Sequence, residues 1–211
     1  MPFSIFYYLI SVLLYLLALP LLMYLLFKKK YKQSIPSRFF LFNNPKFNVE
    51  NGIWFHVCSF GEAKALTPLL KELQDRDVKV TTVTQTGQAQ VRKYGVDTRY
   101  LPYEIFLPFW AKKQKVLVVL EAEFWYMLFA VMHAKGTRII LLNARISEKS
   151  AKKYLKMAWF YKRMLNKVEI IYAQSEADKN RFLALGAKHI QVIGNIKLAA
   201  QITKTKEYII G

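Results

Sequence analysis

The sequence predicts an α/β fold, a doubly wound parallel sheet preceded by an apolar helix. From residue 52 onward, short apolar runs alternate with amphipathic helical stretches, and this alternation implies a parallel sheet with right-handed crossovers. The runs at 116–120 and 139–142 are apolar without interruption, as expected of strands that helices cover on both faces. Polar residues follow almost every run, which places the candidate functional groups at one edge of the sheet.

Hydrophobic spacing sets the predicted elements. Strands are predicted at 53–58, 78–84, 116–121, 138–142, 169–174 and 190–193, and helices at 62–74, 87–94, 124–134, 148–166 and 176–185. Gly136 and Gly186 fall where helices should end. Residues 31–50 contain Pro36, Pro45 and three Asn, and are predicted to be a connector. The predicted organisation is therefore an anchor at 1–30, a connector at 31–50 and a sheet domain at 51–211.

The amino-terminal segment predicts attachment to a membrane. Residues 3–27 carry no charged side chain, and the run exceeds the roughly 20 residues that a helix needs to cross a bilayer. A basic cluster at 28–32 follows and favours the cytoplasmic side. The features of a cleaved signal peptide are not visible, so the segment is predicted to be a retained anchor. Pro20 leaves two alternatives open, a spanning helix or a segment that lies in the interface.

The formal net charge of +18 invites a nucleic-acid hypothesis, but the position of the charge argues against it. Five basic residues lie between Lys28 and Arg38, beside the anchor, and seven lie in 149–167 without an acidic residue. A basic amphipathic helix next to a membrane anchor favours anionic lipid headgroups or a phosphorylated substrate as partner. The alternative is an ordinary core helix with a solvated basic face.

The sequence offers little support for metal, disulfide or nucleotide-loop chemistry. Cys58 is the only cysteine, which excludes a disulfide within the chain, and its place in a predicted strand favours a core residue over a nucleophile. His56, His133 and His189 have no metal-ligand spacing. Neither a dinucleotide fingerprint nor a Walker pattern is present. Glu121 and Glu123 lie at the edge where a metal could bind, which leaves a metal there as the lesser alternative because the pattern shows no further ligands. The sequence therefore predicts no metal and no nucleotide-binding loop in this domain.

The strand ends carry the candidate chemistry. Six polar tips on one edge predict a polar crevice rimmed by carboxylates, amides and cations. Glu62 follows the first strand at the start of a helix, where it is either a site carboxylate or a charge that merely complements the helix dipole. The tips include 59–62, 84–88, 121–125, 143–147, 174–176 and 194–197.

Six short motifs, taken together, resemble a known family. They are Ser-Phe-Gly-Glu at 59–62, Leu-Pro-Tyr at 101–103, Glu-Ala-Glu-Phe-Trp at 121–125, Asn-Ala-Arg-Ile-Ser at 143–147, Leu-Gly-Ala at 185–187 and Gly-Asn-Ile-Lys at 194–197. In this order they resemble the amino-terminal half of 3-deoxy-D-manno-octulosonic acid (Kdo) transferase. The chain departs from the family at Tyr126, where proline is usual, and at Leu198-Ala199, where an aromatic residue and an aspartate are common.

The resemblance implies a GT-B enzyme with a Rossmann-like amino-terminal domain. Such an enzyme transfers Kdo from CMP-Kdo to a lipid A precursor, inverts the anomeric centre, and needs no metal or other cofactor. It acts at the cytoplasmic face of the cell inner membrane. The acceptor binds the amino-terminal domain, and CMP-Kdo binds a carboxyl-terminal domain that we expect to be absent from the 211 residues. The alternative is a membrane-anchored module that binds the lipid A precursor without catalysis.

The resemblance also assigns residues. Glu62 matches the general base that deprotonates the acceptor hydroxyl, and Glu123 and Lys197 match residues that stabilise the transition state. The predicted acceptor-binding residues are Ser59, Gly61, Asn143 and Arg145. The predicted partners are the lipid A precursor, CMP-Kdo and inner-membrane lipids, without nucleic acid.

Overall fold

A computed structural model describes residues 5–39, 41–121 and 123–197. The predicted departure at Leu198-Ala199 lies outside these residues. The strands are β1 (Ile53–Val57), β2 (Val78–Thr82), β3 (Asp97–Tyr100), β4 (Val116–Leu120), β5 (Arg138–Ala144), β6 (Ile170–Ala173) and β7 (Ile190–Val192). The helices are α1 (Ile5–Leu26), α2 (Ser34–Phe39), α3 (Phe60–Ala65), α4 (Thr67–Glu72), α5 (Gln85–Arg92), α6 (Leu107–Trp110), α7 (Tyr126–Ala134), α8 (Glu148–Leu155), α9 (Ala158–Leu165) and α10 (Glu176–Ala184), with a 3₁₀ helix η1 (Glu104–Phe106).

The seven strands form one parallel sheet in the order β3-β2-β1-β4-β5-β6-β7. Strand β1 lies between β2 and β4, with Ile53 opposite both Val78 and Val116. The chain builds outward from β1 to β3, then returns to the other side of β1 to begin β4. The carboxyl ends of β1 and β4 therefore flank the point at which the strand order reverses, where open α/β sheets bind ligands. The predicted fold class is confirmed.

Alternating side chains of the central strands build a separate core on each face of the sheet. Trp54 and Leu117 belong to a core formed with α7, α9 and α10, whereas Phe55 and Val118 belong to one formed with α3, α4 and α5. Successive side chains of a strand point to opposite faces, so each central strand serves both cores. This double burial explains the uninterrupted apolar run of β4.

The structure contains one strand that the sequence did not predict. Strand β3 is the short, largely polar run Asp97–Tyr100, and only its alternate residues Thr98 and Tyr100 are buried. It pairs with β2 alone and forms one edge of the sheet. Because a four-residue half-buried strand carries little hydrophobic signal, spacing alone missed it.

Two predicted helices are each divided in two. The helix predicted at 62–74 is α3 followed by α4, with Pro68 in the first turn of α4. Proline has no N–H to donate to the preceding turn, so it ends α3 and suits the start of a new helix. The helix predicted at 148–166 is α8 followed by α9, with Lys156 and Met157 between them. No proline or glycine accounts for this second break.

The segment predicted as a connector packs into the domain. It contains α2, and the side chains of Ile35, Asn44 and Phe47 are buried. The Asn44 side-chain amide donates to the Tyr100 carbonyl over 2.9 Å and accepts from the Tyr100 N–H over 3.0 Å. This side chain therefore occupies the place of a neighbouring strand beside the end of β3.

Helix α1 coincides with the predicted apolar segment. By length and composition alone it could cross a membrane, and it is the one helix of the described residues that could. Pro20 lies inside it, and the helix continues through this residue.

Candidate active site

The Glu62 carboxylate is buried at the start of α3, directly after β1. Ser59 is the N-cap of α3, and its hydroxyl accepts from the Glu62 N–H over 3.2 Å and donates to Glu62 Oε1 over 2.6 Å. Glu62 Oε2 accepts from the Cys58 N–H over 2.8 Å. Ser59 therefore caps α3, and the Glu62 carboxylate lies in its first turn, where it can complement the helix dipole, and is held in one orientation at the sheet edge.

Burial raises the pKa of the Glu62 carboxyl. The hydrogen bonds from the Cys58 N–H and the Ser59 hydroxyl oppose the rise, whereas the charges of Glu123 and Glu121 add to it. A carboxyl with a raised pKa holds a proton more strongly than an exposed one. Glu62 is thus a stronger base than an ordinary glutamate, and a base is most useful when its pKa approaches the working pH.

Glu123 lies next to Glu62, on the loop between β4 and α7. The Cys58 Sγ and one carboxylate oxygen each of Glu62 and Glu123 all lie within 4.8 Å of one another. Burial raises the pKa of Glu123, a hydrogen bond with the Cys58 thiol opposes the rise, and Glu121 adds to it. We call Glu62, Glu121 and Glu123 the carboxylate cluster.

The Cys58 thiol lies within the carboxylate cluster, and burial raises its pKa, as do the charges of Glu123 and Glu62. The spacing of Cys58, Glu62 and Glu123 could hold a metal ion, whose own charge would favour the thiolate. Cys58 Sγ lies 3.4 Å from His56 Nε2. Burial and the charge of Arg38 lower the pKa of His56 to about 3, so the imidazole is neutral. The two residues therefore do not form a thiolate–imidazolium pair.

Sequence reasoning missed this contact between His56 and Cys58. The two residues lie two positions apart, and residues i and i+2 of a strand point to the same face. The two-residue period of a strand could therefore have predicted that His56 and Cys58 lie side by side. The prediction that Cys58 is a core residue agrees with its burial.

Lys197 pairs with Glu121, not with Glu123. Its Nζ lies 2.5 Å from Glu121 Oε1, and Arg145 Nε lies 3.6 Å from Glu121 Oε2. Glu121 has a positive φ of 58°, a conformation that turns the chain sharply at the end of β4. Lys197 Nζ is also 4.0 Å from the point that a Cβ on Gly61 would occupy. Two cations, the carboxylate cluster and the start of α3 thus meet at the switch point of the sheet.

The structure divides the predicted acceptor-binding residues between rim and interior. Gly61 is exposed and the Arg145 side chain is 63% exposed, whereas Asn143 is fully buried. Asn143 Oδ1 accepts from the Ile196 N–H over 3.1 Å, which positions the loop that carries Lys197. Its Nδ2 has no hydrogen-bond partner among residues 5–39, 41–121 and 123–197.

Sequence reasoning also missed Arg38, which reaches the site from α2. Its Nε donates to the Leu101 carbonyl over 2.9 Å, and its guanidinium lies 4.2 Å from the centre of the Tyr103 ring. The Trp125 ring lies at 5.8 Å. Burial lowers the pKa of Arg38, and no carboxylate in the described part of the chain lies within 4.0 Å of it. The Leu101 carbonyl and the rings of Tyr103 and Trp125 are thus the groups that face this cation in the described part of the chain.

Comparison with known proteins identifies the family. Residues 33–200 match the family model described as 3-deoxy-D-manno-octulosonic-acid transferase (kdotransferase). The chain belongs to this family. The Kdo transferase match covers the whole sheet, α2 and every member of the carboxylate cluster, so the resemblance drawn from the six motifs is confirmed.

Individual relatives agree with this family. A 3-deoxy-D-manno-octulosonic acid transferase of Haemophilus influenzae is 30% identical over 80% of this chain and 42% of the relative. One of Chlamydia pneumoniae is 32% identical over 94% of this chain and 49% of the relative. A bifunctional glycosyltransferase/methyltransferase of Fusobacterium nucleatum is 33% identical over 74% of this chain and 26% of the relative. The chain thus spans about half or less of the length of the Kdo transferases that it matches.

Proposed function

We propose that this chain is the acceptor half of a glycosyltransferase that transfers Kdo from CMP-Kdo to a lipid A precursor in lipopolysaccharide synthesis. The observation that carries the proposal is Glu62, a buried carboxyl with a raised pKa at the switch point of the sheet. Membership of the Kdo transferase family supports the donor and acceptor assigned here.

Glu62 is the general base of the proposed reaction. An acceptor hydroxyl gives its proton to the Glu62 carboxylate while its oxygen attacks the anomeric carbon of Kdo. The bond from that carbon to the phosphate oxygen breaks, and CMP leaves with the electron pair. Attack on the face opposite the leaving group inverts the anomeric centre. A positioned base typically contributes about 10²–10⁴-fold to such a step.

The neighbouring charges stabilise the transition state. Breaking the bond to CMP gives the anomeric carbon positive character, which the negative charge of Glu123 favours. Lys197 offsets the negative charge of either the donor carboxylate or the leaving phosphate. Arg38, which has a largely buried guanidinium and no carboxylate within 4.0 Å in the described part of the chain, is a second cation for an anionic group of the substrates. The proposed step uses no metal and no other cofactor.

The acceptor lies on the rim of the same crevice. Ser59, Gly61 and Arg145 contact it in this proposal, and Asn143 acts from the interior by holding the loop that carries Lys197. CMP-Kdo binds a further, Rossmann-like carboxyl-terminal domain, which agrees with the greater length of the relatives. The apolar α1 attaches the protein to the cytoplasmic face of the inner membrane.

The test is mass spectrometry of a lipid A precursor incubated with CMP-Kdo, this chain and a carboxyl-terminal nucleotide-sugar domain of a relative. We expect a mass gain of one or more Kdo units. Glu62→Gln, which is nearly isosteric, should lose the gain and still bind the precursor, whereas Glu72→Gln on the exposed face of α4 should retain it. Precursor binding without any transfer would identify a binding module instead, and transfer by Glu62→Gln would remove Glu62 from the mechanism.

A further inference from the structure

One side of α1 is partly buried along its whole length. Buried or half-buried side chains recur at helical spacing, and the side chains between them, such as Leu13 and Leu17, are exposed. The partly buried side chains are those of Tyr7, Tyr8, Ser11, Val12, Tyr15, Ala18, Leu19, Leu22, Leu25 and Leu26. A helix that only left the domain at one end would show such a stripe near that end alone.

The amino-terminal end of α1 is fastened to the domain by specific contacts. The Tyr7 hydroxyl donates to Glu104 Oε2 over 2.6 Å, and the Tyr7 ring lies 4.3 Å from that of Tyr126. The Tyr8 hydroxyl donates to the Ile105 carbonyl over 3.2 Å. Glu104 Oε1 in turn accepts from the N–H of Met127, in the first turn of α7. Both oxygens of this carboxylate are thus bonded at the junction between α1 and the sheet domain.

The middle of α1 packs on the same domain. The ring of Tyr15 lies 5.1 Å from that of Tyr103 and 6.5 Å from that of Phe39. Tyr7 and Tyr15 are two turns apart, about 12 Å along the helix at 1.5 Å per residue. The carboxyl-terminal end of α1 leads through residues 27–33 into α2, which also packs on the domain. The amino-terminal end and the middle of α1 therefore lie against the domain, and the carboxyl-terminal end is tied to it through α2.

This packing is incompatible with a helix that crosses the bilayer. A spanning helix is surrounded by about 30 Å of hydrocarbon, and its two ends lie on opposite sides of the membrane. With Tyr7 and Tyr15 both docked, the polar Glu104 and the basic domain around it would have to enter the hydrocarbon, which is costly for charged groups. We infer that α1 lies in the plane of the membrane, with one face docked on the sheet domain and the other in lipid.

The exposed side of α1 suits lipid as its occupant. Its side chains are apolar, with Leu17 and Phe6 69% and 73% exposed. The nearby Trp159, also 69% exposed, lies 5.9 Å from the ring of Phe160, which itself stacks on Tyr126. Exposed aromatic residues and the basic cluster at 28–32 match the headgroup region of an anionic membrane. A lipid surface, rather than a second copy of the chain, is therefore the inferred partner.

The inference gives the proposed reaction a geometry and rests on the proposed membrane attachment. Tyr7 and Met127 share the Glu104 carboxylate, and Met127 follows Glu123 by four residues. The membrane surface is thus held at a fixed height relative to the carboxylate cluster. An acceptor lipid can then present its sugar to Glu62 while its acyl chains stay in the bilayer beside α1.

Photo-crosslinking of the whole chain in native membranes tests the inference. Benzoylphenylalanine in place of Tyr15 should form an internal cross-link to the peptide that contains Tyr103. The matched control carries the same amino acid in place of Leu17, on the exposed side, and should cross-link to phospholipid without an internal product. Mapping both products by mass spectrometry gives a readout that does not depend on transfer activity.

Three results would overturn the inference. Absence of the internal product from position 15 in the membrane fraction would show that α1 leaves the domain and spans the bilayer. A product from position 17 that joins two copies of the chain would replace lipid by a dimer. Recovery of the protein in the soluble fraction would refute the membrane attachment. None of these three results tests the role of Glu62. Conversely, if both expected cross-links formed but the transfer assay failed, the proposed function would be contradicted and the position of α1 would stand.

Discussion

The Lys197 ammonium and the Glu121 carboxylate form an ion pair across the switch point of the sheet, with 2.5 Å between Nζ and Oε1. The two residues are 76 positions apart in the sequence, and their side chains are 38% and 17% exposed. The pair joins the loop after β7 to the end of β4. A half-buried pair of this kind holds its partners in place more strongly than a surface pair, because solvent screens it less.

We predict that Glu121 and Lys197 act as a unit in Kdo transfer. Glu121→Gln and Lys197→Met should each lower the transfer rate. The double variant should lose less transition-state stabilisation than the two single variants added together, because either single change already breaks the ion pair. The coupling should be about 0.5–3 kcal/mol in a double-mutant cycle of kcat/KM. The matched comparison is the same cycle between Glu121 and Arg145, whose Nε is 3.6 Å from Glu121 Oε2 and whose side chain is more exposed than that of Lys197. Additive losses for Glu121 and Lys197 would mean that the pair does not position Lys197.

A second prediction concerns the pH dependence of stability. The native pKa of Glu62 and Glu123 lies above the ordinary glutamate value of 4.5, so the native state holds these protons more tightly than the unfolded chain. Their contribution to the free energy of unfolding is present below the unfolded pKa and is lost as pH rises through the native pKa. Urea titrations at about pH 5 and about pH 8 should show a smaller decline for Glu123→Gln than for the wild-type protein. Glu72→Gln, an exposed control, should keep the wild-type decline.

Arg38 should show a trade-off between stability and activity. Arg38→Met keeps an unbranched side chain and removes a largely buried charge, so the free energy of unfolding should stay unchanged or rise by about 1 kcal/mol. Transfer should fall, because an anionic group of the substrates loses its cation. Arg76→Met, at an exposed position, should change neither quantity. A clear loss of stability in Arg38→Met would instead assign Arg38 a structural role through Leu101 and Tyr103.

Gly87 and Gly61 should respond in opposite ways to alanine. A Cβ on Gly87 would lie 2.9 Å from Thr84 Oγ1 and 3.4 Å from the Ser59 carbonyl, so Gly87→Ala should push α5 from the Ser59 loop and cost about 1–3 kcal/mol of stability. A Cβ on Gly61 would meet Ser59 and Lys197 only at 3.9 and 4.0 Å. Gly61→Ala should therefore raise the free energy of unfolding by about 0.4–1 kcal/mol in chemical denaturation. If both variants were destabilised equally, the close approach of α5 would not be the cause.

The sequence was most informative where burial is complete on both faces. The apolar runs of β4 and β5 predicted a parallel sheet, and parallel strands necessarily bring Glu62, Glu123 and Asn143 to the same edge. Six motifs in order then identified the family. Strand β3 escaped prediction because half of its residues are polar and exposed.

Side-chain contacts between segments that are far apart in the sequence could not be predicted from hydrophobic spacing or motifs. Arg38 lies in a segment whose prolines and asparagines predict a connector, and its place beside Tyr103 and Trp125 depends on how α2 docks. The partner of Lys197 depends on the turn at Glu121, where a positive φ aims the carboxylate at the loop after β7. The lengthwise packing of α1 was hidden for the opposite reason, since a helix that is apolar on every side gives no sign of which side meets the protein.

The pairing of Asn44 with Tyr100 has a consequence for association between molecules. An edge strand with open N–H and carbonyl groups is a template on which another chain can add a strand. At the end of β3 those groups of Tyr100 are already occupied by the Asn44 amide, and the opposite edge, β7, is only three residues long. One side chain thus closes the end of the longer of the two edges, so a further strand cannot pair with Tyr100 there.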